Sequence, residues 1–393
     1  MTDSLSPPPV WRAPGMPALL LVTFFGFAGF AALMPTAPLW ALEVGAGSAG
    51  AGMVNGILML CTVASQPFVP WALRRFGWAR TLGVGLALLG VPTLFFGLAG
   101  SLGTVLTLSG VRGLGFSILT VAGSMAVAEL VEPGRRGKAV GAYGLAISVP
   151  QLTLLPSTPW LAEHMGFWLV FVLGALPVAA IPPALALARH LHQPDDSDRV
   201  PEQALSWRGM LPLARPMALL LAVTLASGAF ITFTPQMSSD AAATTAGLLL
   251  LTSTAALARW RFGHWADVHG AHVFLWPLVC VTIVGLLLGA WAVIDPQDTS
   301  VVALLVGMAL LGISYGGLQN LTLLESFSAV RPRDYGVASA AWNIGFDAGT
   351  GLGSVLVGAL AAGYSFPVAL VVCAAFSVLT LPLALMRQRG PSA

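Results

Sequence analysis

The chain has 393 residues, of which 56% are hydrophobic and only 9% are charged. A soluble domain carries roughly 25% charged residues, so this composition excludes an ordinary soluble protein and predicts an integral membrane protein. The formal net charge of +2 is too small for the basic surface of a nucleic-acid-binding protein, so no nucleic-acid partner is expected.

Apolar runs long enough to cross a bilayer recur along the whole chain. A membrane-spanning helix needs about 20 predominantly apolar residues. This criterion predicts an all-α integral membrane protein with twelve transmembrane helices, numbered here as spans 1 to 12. The predicted spans cover residues 17–40, 48–71, 79–100, 102–128, 138–160, 166–188, 213–236, 242–262, 271–294, 299–324, 335–361 and 364–387.

The basic residues support the count of twelve. Of the 18 Lys and Arg residues, all except Arg112 fall in the tails or in alternate connections, which together define a basic side of the molecule. Arg259 and Arg261 belong to this group, at the predicted end of span 8. The opposite, acidic side carries Glu43, Glu163, Asp240, Asp295 and Asp298. The positive-inside rule predicts a multi-pass protein of the cell membrane with the basic side and both termini in the cytoplasm.

A polar segment divides the chain into two halves. The predicted division is a tail at 1–16, a six-helix bundle at 17–188, a linker at 189–212, a second six-helix bundle at 213–387 and a tail at 388–393. The sequence VEPGRRG at 131–137 returns as VRPRDYG at 330–336, at an offset of 199 residues. Parallel six-span repeats of this kind are typical of one large class of secondary transporters.

Two charges lie deep within apolar runs. Arg112 occurs in span 4 within Ser109–Ser117, and Asp347 occurs in span 11. At about 1.5 Å per helical residue, both lie near the middle of a layer about 30 Å thick. A structural interpretation is a buried ion pair or two separate packing residues. A functional interpretation is proton coupling, in which Asp347 carries the proton because a guanidinium stays charged and Arg112 holds an anion or tunes Asp347.

Polar side chains at helical spacing predict a cavity for a small-molecule substrate. In span 11, Asn343, Asp347 and Thr350 lie on one helical face. Each of these polar residues could instead form a hydrogen bond between helices. The complete set of predicted cavity residues is Asn55, Thr62, Gln66, Ser148, Gln151, Tyr315, Gln319, Asn343 and Thr350.

The connections after spans 2 and 8 carry related motifs. The second reads GHWADVHG, with Gly263, Asp267 and Gly270 matching the pattern G-x-x-x-D-R-x-G-R-R. The first, PWALRRFGWAR, keeps Arg75, Gly77 and Arg80 but has Pro70 and Arg74 at the positions of the first glycine and the acid. With twelve spans and two bundles, the chain resembles a transporter of the major facilitator superfamily. The resemblance implies that these residues gate the cytoplasmic ends of the helices, whereas the arginines alone could also serve only to set topology.

Two further stretches bear on the direction of transport. Exporters of the family carry Arg-x-x-x-Gly in span 4, and Arg112 lies three residues after the expected arginine position. Their span-5 pattern is altered here, since Pro156 is kept but Leu155, Pro159 and Trp160 replace glycines. The resemblance implies proton-coupled export of a small drug-like molecule or metabolite. Proton-coupled uptake and a membrane sensor that does not transport are the alternatives.

The remaining expectations concern partners and chemistry. The proton motive force is expected to drive transport without a bound cofactor or metal. The expected partners are the substrate, protons and the lipid bilayer, and the expected working unit is a monomer. The sequence has no recognisable phosphate-binding loop, catalytic triad or metal-ligand spacing, so an enzyme is not expected.

Overall fold

The computed structural model of the chain describes residues 10–131, 136–192, 211–295, 299–330 and 335–386. Over these ranges the chain is built from helices and contains no strand. Span 1 consists of Met16–Leu33 and Thr36–Glu43, span 2 of Ser48–Ser65, and span 3 of Val69–Gly90 with Val91–Leu98. Span 4 is Leu102–Leu130, span 5 is Arg136–Met165, and span 6 is Phe167–Gly174, Leu176–Ala179 and Ile181–Ala188. Spans 7 to 12 are Ala214–Met237, Ala241–His269, His272–Ala292, Val301–Ser328, Tyr335–Gly363 and Phe366–Leu385.

The helices agree with a multi-pass membrane protein. Within the described ranges, ten helical stretches are long and apolar enough to cross a bilayer. One of them, Ser48–Leu98, is 51 residues long and contains both span 2 and span 3. The helix Arg136–Met165 is not among the ten, but its 30 residues provide span 5 despite three internal prolines. The predicted all-α fold with twelve spans is confirmed.

Prolines divide two of the spans. A proline has no N–H to donate to the carbonyl one turn earlier, so it interrupts or bends a helix. Span 1 breaks before Thr36, where Pro35 is the N-cap of the second helix. Span 6 is divided into three short helices, and prolines occupy the first turn of the second and third, including Pro177 and Pro182.

The two halves repeat the same close helix packing. Span 4 packs on spans 2 and 3, and span 10 packs on spans 8 and 9. A Cβ atom on Gly113 would lie 2.2 Å from the Leu58 carbonyl oxygen, and one on Gly312 would lie 2.3 Å from that of Leu251. Real Cβ atoms do not approach so closely, so glycine at both positions allows the helix backbones to touch.

A pair of threonine hydrogen bonds accompanies this packing. Thr62 Oγ1 donates to the Gly113 carbonyl over 3.1 Å, and Thr254 Oγ1 donates to the Ala309 carbonyl over 3.1 Å. In both halves the bond therefore joins the second helix to the fourth. Thr62 is fully buried in this contact. It serves as an interhelical hydrogen bond rather than as the cavity residue predicted from its spacing.

Two glycines of the loop motifs share an unusual backbone conformation. Gly77 has φ 77° and ψ 167°, and Gly270 has φ 84° and ψ 143°. This region of the Ramachandran plot is accessible essentially to glycine alone. Gly77 separates the segment Val69–Phe76 from the membrane helix that follows, and Gly270 separates span 8 from span 9. The same turn thus occurs at corresponding places in the two halves.

Some predictions fall on residues outside the described ranges. Most of the linker at 189–212 lies there, as do the ends of the two tails and much of the repeated segments at 131–137 and 330–336. The side chain of Asp267 is also outside the description, although its helix is described. The domain boundaries therefore remain predictions.

Candidate translocation pathway

A cavity lies where the two halves of the chain meet. Span 2 packs on span 11, and span 5 packs on span 8. Between these contacts lies a cavity. Its wall is mainly apolar and consists of Phe30, Met34, Met59, Ser148, Gln151, Leu152, Leu155, Ile231, Leu251, Thr252, Ala255, Ala256, Arg259, Tyr315, Phe346 and Thr350. Such a concave apolar site with a few polar groups is typical of a binding site for a small organic molecule.

The cavity wall includes part of the predicted polar set. Ser148 and Gln151 from span 5, Tyr315 from span 10 and Thr350 from span 11 all line it. The wall lacks the predicted cavity residues Asn55, Thr62, Gln66, Gln319 and Asn343. Their side chains are instead used in hydrogen bonds within or between helices.

Asn55 belongs to a hydrogen-bonded seal on the acidic side of the cavity. Its Nδ2 donates to the Met34 carbonyl over 2.8 Å and to Thr232 Oγ1 over 3.0 Å. The Met34 carbonyl has no intrahelical donor one turn ahead, because Pro38 occupies that position. Thr232 in turn lies 2.8 Å from Ser354 Oγ. These side chains connect spans 1, 2, 7 and 11, so Asn55 helps to close the pathway rather than line it.

Glycine contacts complete this seal. A Cβ atom on Gly52 of span 2 would lie 2.2 Å from the Ser354 carbonyl oxygen of span 11. A Cβ atom on Gly358 of span 11 would lie 2.7 Å from the Ser48 carbonyl oxygen of span 2. The two backbones therefore touch directly over the acidic half of the interface. The structure is that of a state closed on its acidic side.

Asp347 lies at the interface of the halves, beside the cavity. Gln66 directly follows span 2, and its Nε2 donates to Asp347 Oδ2 over 2.7 Å; both side chains are buried. The neighbouring Phe346 and Thr350 line the cavity. Among the described contacts of Asp347 there is no ion pair with a basic residue. Gln66, predicted as a cavity residue, is therefore the partner of this carboxyl group across the interface.

Arg112 occupies a different place, inside the first bundle. Its Nη2 donates to the Gly29 carbonyl of span 1 over 3.2 Å, and its guanidinium carbon lies 5.9 Å from the centre of the Phe96 ring. The side chain is 1% exposed, and Nε has no hydrogen-bond partner among the described residues. Arg112 and Asp347 do not form the ion pair that one interpretation of the sequence predicts.

Replacing Arg112 by methionine tests whether the buried charge is retained for function. A buried charge without a counter-ion is costly, and replacing buried charged groups by apolar ones of similar volume is often neutral or stabilising. We therefore expect Arg112→Met to keep or raise the midpoint of thermal unfolding in detergent while lowering the transport rate. A lower midpoint with an unchanged rate would instead assign Arg112 a packing role only.

The loop-motif arginines and Glu325 lie at the basic side. Arg75 and Arg80 are exposed at the start of span 3. Glu325 of span 10 forms an ion pair of 2.7 Å with Arg215 Nη1 of span 7, whose Nε also donates to the Leu383 carbonyl of span 12. This contact joins three helix ends within the second bundle.

The sequence interpretation misplaced Arg259. Its helix continues to His269, well beyond the predicted end of span 8 at residue 262, so Arg259 lies within the bundle and lines the cavity. Gly263 allows Asn320 of span 10 to approach closely, and Asn320 Nδ2 donates to the Arg259 carbonyl over 2.8 Å. The sequence does indicate this position of Arg259 by helical spacing. One face of span 8 lines the cavity with residues spaced i, i+3, i+4 and i+7, namely Thr252, Ala255, Ala256 and Arg259.

Solved structures with this fold include known transporters. A bacterial homologue of the human lysosomal transporter Spinster, in an inward-facing and unoccupied conformation, matches with a TM-score of 0.75 at 15% identity, over 97% of each chain. The nucleoside transporter NupG matches with a TM-score of 0.68 at 13% identity, over 94% of this chain and 97% of that one. These likenesses show the fold.

Sequence comparisons identify the family. A curated protein of Cupriavidus pinatubonensis (strain JMP 134 / LMG 1197), named "Probable 4-methylmuconolactone transporter", is 26% identical over 220 residues, which are 52% of this chain and 49% of that protein. The match thus spans about half the length of this curated relative. The family model of the Major Facilitator Superfamily matches residues 19–328. With the twelve-span fold and the cavity between its halves, this match shows that the chain belongs to the major facilitator superfamily of transporters.

Proposed function

We propose that the protein is a secondary active transporter that moves a small organic solute through the cavity by alternating access and couples this movement to protons. The observation that carries the proposal is the hydrogen bond from Gln66 to Asp347. It places a buried carboxyl group beside the cavity and on the contact between the two halves. A change of protonation there acts directly on the interface that has to open.

The seal on the acidic side supplies one end state of this cycle. Alternating access requires that the bundles separate on one side of the binding site while they meet on the other. The glycine contacts of Gly52 and Gly358 and the hydrogen bonds of Asn55 are made between the halves, so they break when the acidic side opens. We propose that the basic side, which carries both termini, faces the cytoplasm of the cell and that the structure corresponds to access from that side.

Asp347 is the proposed proton carrier. A carboxylate in an apolar interior without a cation partner is costly, and a proton removes this cost. We propose that Asp347 is protonated while it accepts the hydrogen bond from Gln66 and that it exchanges its proton with water when spans 2 and 11 separate. Because the cavity and Asp347 lie within one chain, a monomer suffices for the cycle.

The proposed substrate is a small and largely apolar organic molecule. The cavity wall is dominated by Met, Leu, Ile and Phe side chains. The relative bears the name "Probable 4-methylmuconolactone transporter", and one solved structure of similar fold is a nucleoside transporter. Both names refer to small organic solutes. Export is the direction expected from the sequence, and the altered pattern around Pro156 in span 5 favours uptake as the second candidate.

Reconstitution into proteoliposomes tests the function and its direction. Vesicles of defined protein orientation are loaded with a pH-sensitive dye, and a panel of small organic solutes is added under an imposed pH gradient. We expect at least one solute to move protons in protein-containing vesicles and not in empty ones. Export predicts exchange of solute against protons, whereas uptake predicts movement of both in the same direction. The absence of solute-dependent proton movement with either gradient would favour a sensor over a transporter.

A further inference from the structure

We infer that Arg259 on the cavity wall, with its hydrogen-bond partner Gln319 next to it, forms an anion-binding site and that the substrates carry a carboxylate attached to an apolar body. This inference deepens the proposed function and rests on it. Among the described residues that line the cavity, Arg259 is the one that bears a formal charge.

The hydrogen bonding of Arg259 leaves a donor free. Its Nη2 donates to Gln319 Oε1 of span 10. Its Nε is buried and has no partner within the described part of the chain. A guanidinium has five N–H donors and no acceptor, so it is satisfied by groups that accept several hydrogen bonds at once. The described polar side chains beside Arg259 are the Gln319 amide and the Tyr315 hydroxyl, and neither is a carboxylate.

Gln319 leaves a second donor free next to the first. Because its oxygen accepts from Arg259, its amide nitrogen has to point elsewhere, and Nε2 is also buried without a partner. The side chain is only 3% exposed, so bulk water does not readily satisfy this nitrogen. Buried polar groups in proteins nearly always have partners, and an orphaned group calls for an explanation. Here two adjacent side chains have buried N–H donors without a hydrogen-bond partner among the described residues, and the polar group beside both is the hydroxyl of Tyr315.

A carboxylate supplies what this pair lacks. Its two oxygens accept several hydrogen bonds, and arginine binds them in a planar, charge-assisted geometry. No acidic side chain lines the described cavity wall to compete for Arg259. Asp347 is held by Gln66. The apolar side chains Met34, Met59 and Leu152 on the same wall provide contacts for the rest of the molecule.

Binding of matched charged and neutral probes tests the inference. The purified full chain in detergent is titrated with benzoate, phenylacetate and 4-hydroxybenzoate and with the corresponding three amides, and heat is measured by calorimetry. We expect the carboxylates to bind more tightly than their amides. Arg259→Gln should weaken carboxylate binding by about 10- to 100-fold, the usual effect of losing a charge-assisted hydrogen bond, with little change for the amides.

Three further variants separate the charge of the site from its geometry and provide a matched control. Arg259→Lys retains the charge without the planar fork and should bind carboxylates with intermediate affinity. Gln319→Glu places a carboxylate against Arg259 and should abolish binding of the added carboxylates by internal competition. Arg261→Gln is the matched control, because Arg261 is exposed on the same helix and stacks on Trp265. It should bind all probes as the unchanged protein does.

The possible failures are distinguishable. Equal binding of acids and amides, no binding of any of the three acids, or unchanged carboxylate affinity in both Arg259→Gln and Gln319→Glu would overturn the anion site. Proton-linked movement of neutral solutes in proteoliposomes would then leave the proposed transport function intact. Carboxylate binding that depends on Arg259 but is accompanied by no transport under either pH gradient would instead support the site and contradict the transport function.

Discussion

Replacing Asp347 by asparagine is expected to abolish solute accumulation driven by a pH gradient while leaving folding and substrate binding intact. Asparagine has nearly the same shape, and its side-chain oxygen can still accept the hydrogen bond from Gln66, but it cannot exchange a proton. The measurement is uptake or release of a transported solute by proteoliposomes under an imposed pH gradient. The expected result is a rate at the level of empty vesicles.

Solute exchange without a gradient separates coupling from access. If Asp347 only carries the proton, a variant fixed in the neutral form should still exchange labelled for unlabelled solute across the membrane. Asn343→Ala is a suitable control, because Asn343 lies on the same helix and donates within it, to the Ser339 carbonyl. It should keep normal accumulation. Accumulation by Asp347→Asn with an unchanged dependence on pH would show that another group couples transport to protons.

Gly52→Val is expected to prevent closure on the acidic side and thereby stop transport. The added Cβ atom would lie 2.2 Å from the backbone carbonyl of Ser354, and a backbone atom cannot move aside as a flexible side chain can. Spans 2 and 11 would then be held apart, and the pathway would remain open towards the acidic side. The transport rate should fall by at least about tenfold, an effect of more than about 1.4 kcal/mol on the cycle.

Thiol labelling can show that this loss is conformational. A cysteine at Met59 on the cavity wall, in a background without the three native cysteines, reports access for a membrane-impermeant reagent. Gly52→Val should raise labelling from the acidic side. Gly83→Val is the control, since a Cβ atom on Gly83 meets nothing within 4 Å. Labelling in Gly52→Val as low as in this control would contradict the assignment of Gly52 to the seal.

Most of the fold was predictable because the bilayer makes strong demands on sequence. Apolar runs of the required length and the alternation of basic and acidic connections identify twelve spans without knowledge of their packing. The exact ends were less predictable. Span 8 continues as a helix through the polar residues up to His269, because backbone hydrogen bonds do not require an apolar sequence. The division of span 6 depends on prolines such as Pro177, which hydropathy does not register.

The site was predictable only in part. The sequence indicates which polar residues share a helical face, but it does not show which groups of the neighbouring helices they contact. Helical spacing places Ser148, Gln151, Tyr315 and Thr350 on suitable faces, and these residues do line the cavity. The same reasoning selects Thr62, whose neighbour proved to be the carbonyl of Gly113. Spacing identifies a face of a helix but not the helix opposite to it.

Arg259 shows the complementary difficulty. Because Arg259 lies near the end of an apolar run, the distribution of charge predicted that it belongs to the basic residues that set the membrane topology. Its depth, however, depends on where the helix ends and on how span 8 packs against span 10. Arg112 was recognised as unusual by its position in an apolar run, yet the sequence does not reveal that its described partners are Gly29 and Phe96.

The hydrogen bond between Asn55 and the Met34 carbonyl is exchangeable for hydrogen bonds to water. While the acidic side is closed, Asn55 satisfies this oxygen, which lacks an intrahelical donor because of Pro38. On separation of the halves, water can enter and hydrate both groups, so the lost hydrogen bonds are replaced by others of similar strength. These polar contacts stabilise the closed acidic side while water is excluded from the interface. Once water enters, breaking them costs little net free energy. Hydration of the seal can therefore act as the trigger that makes the closed state reversible.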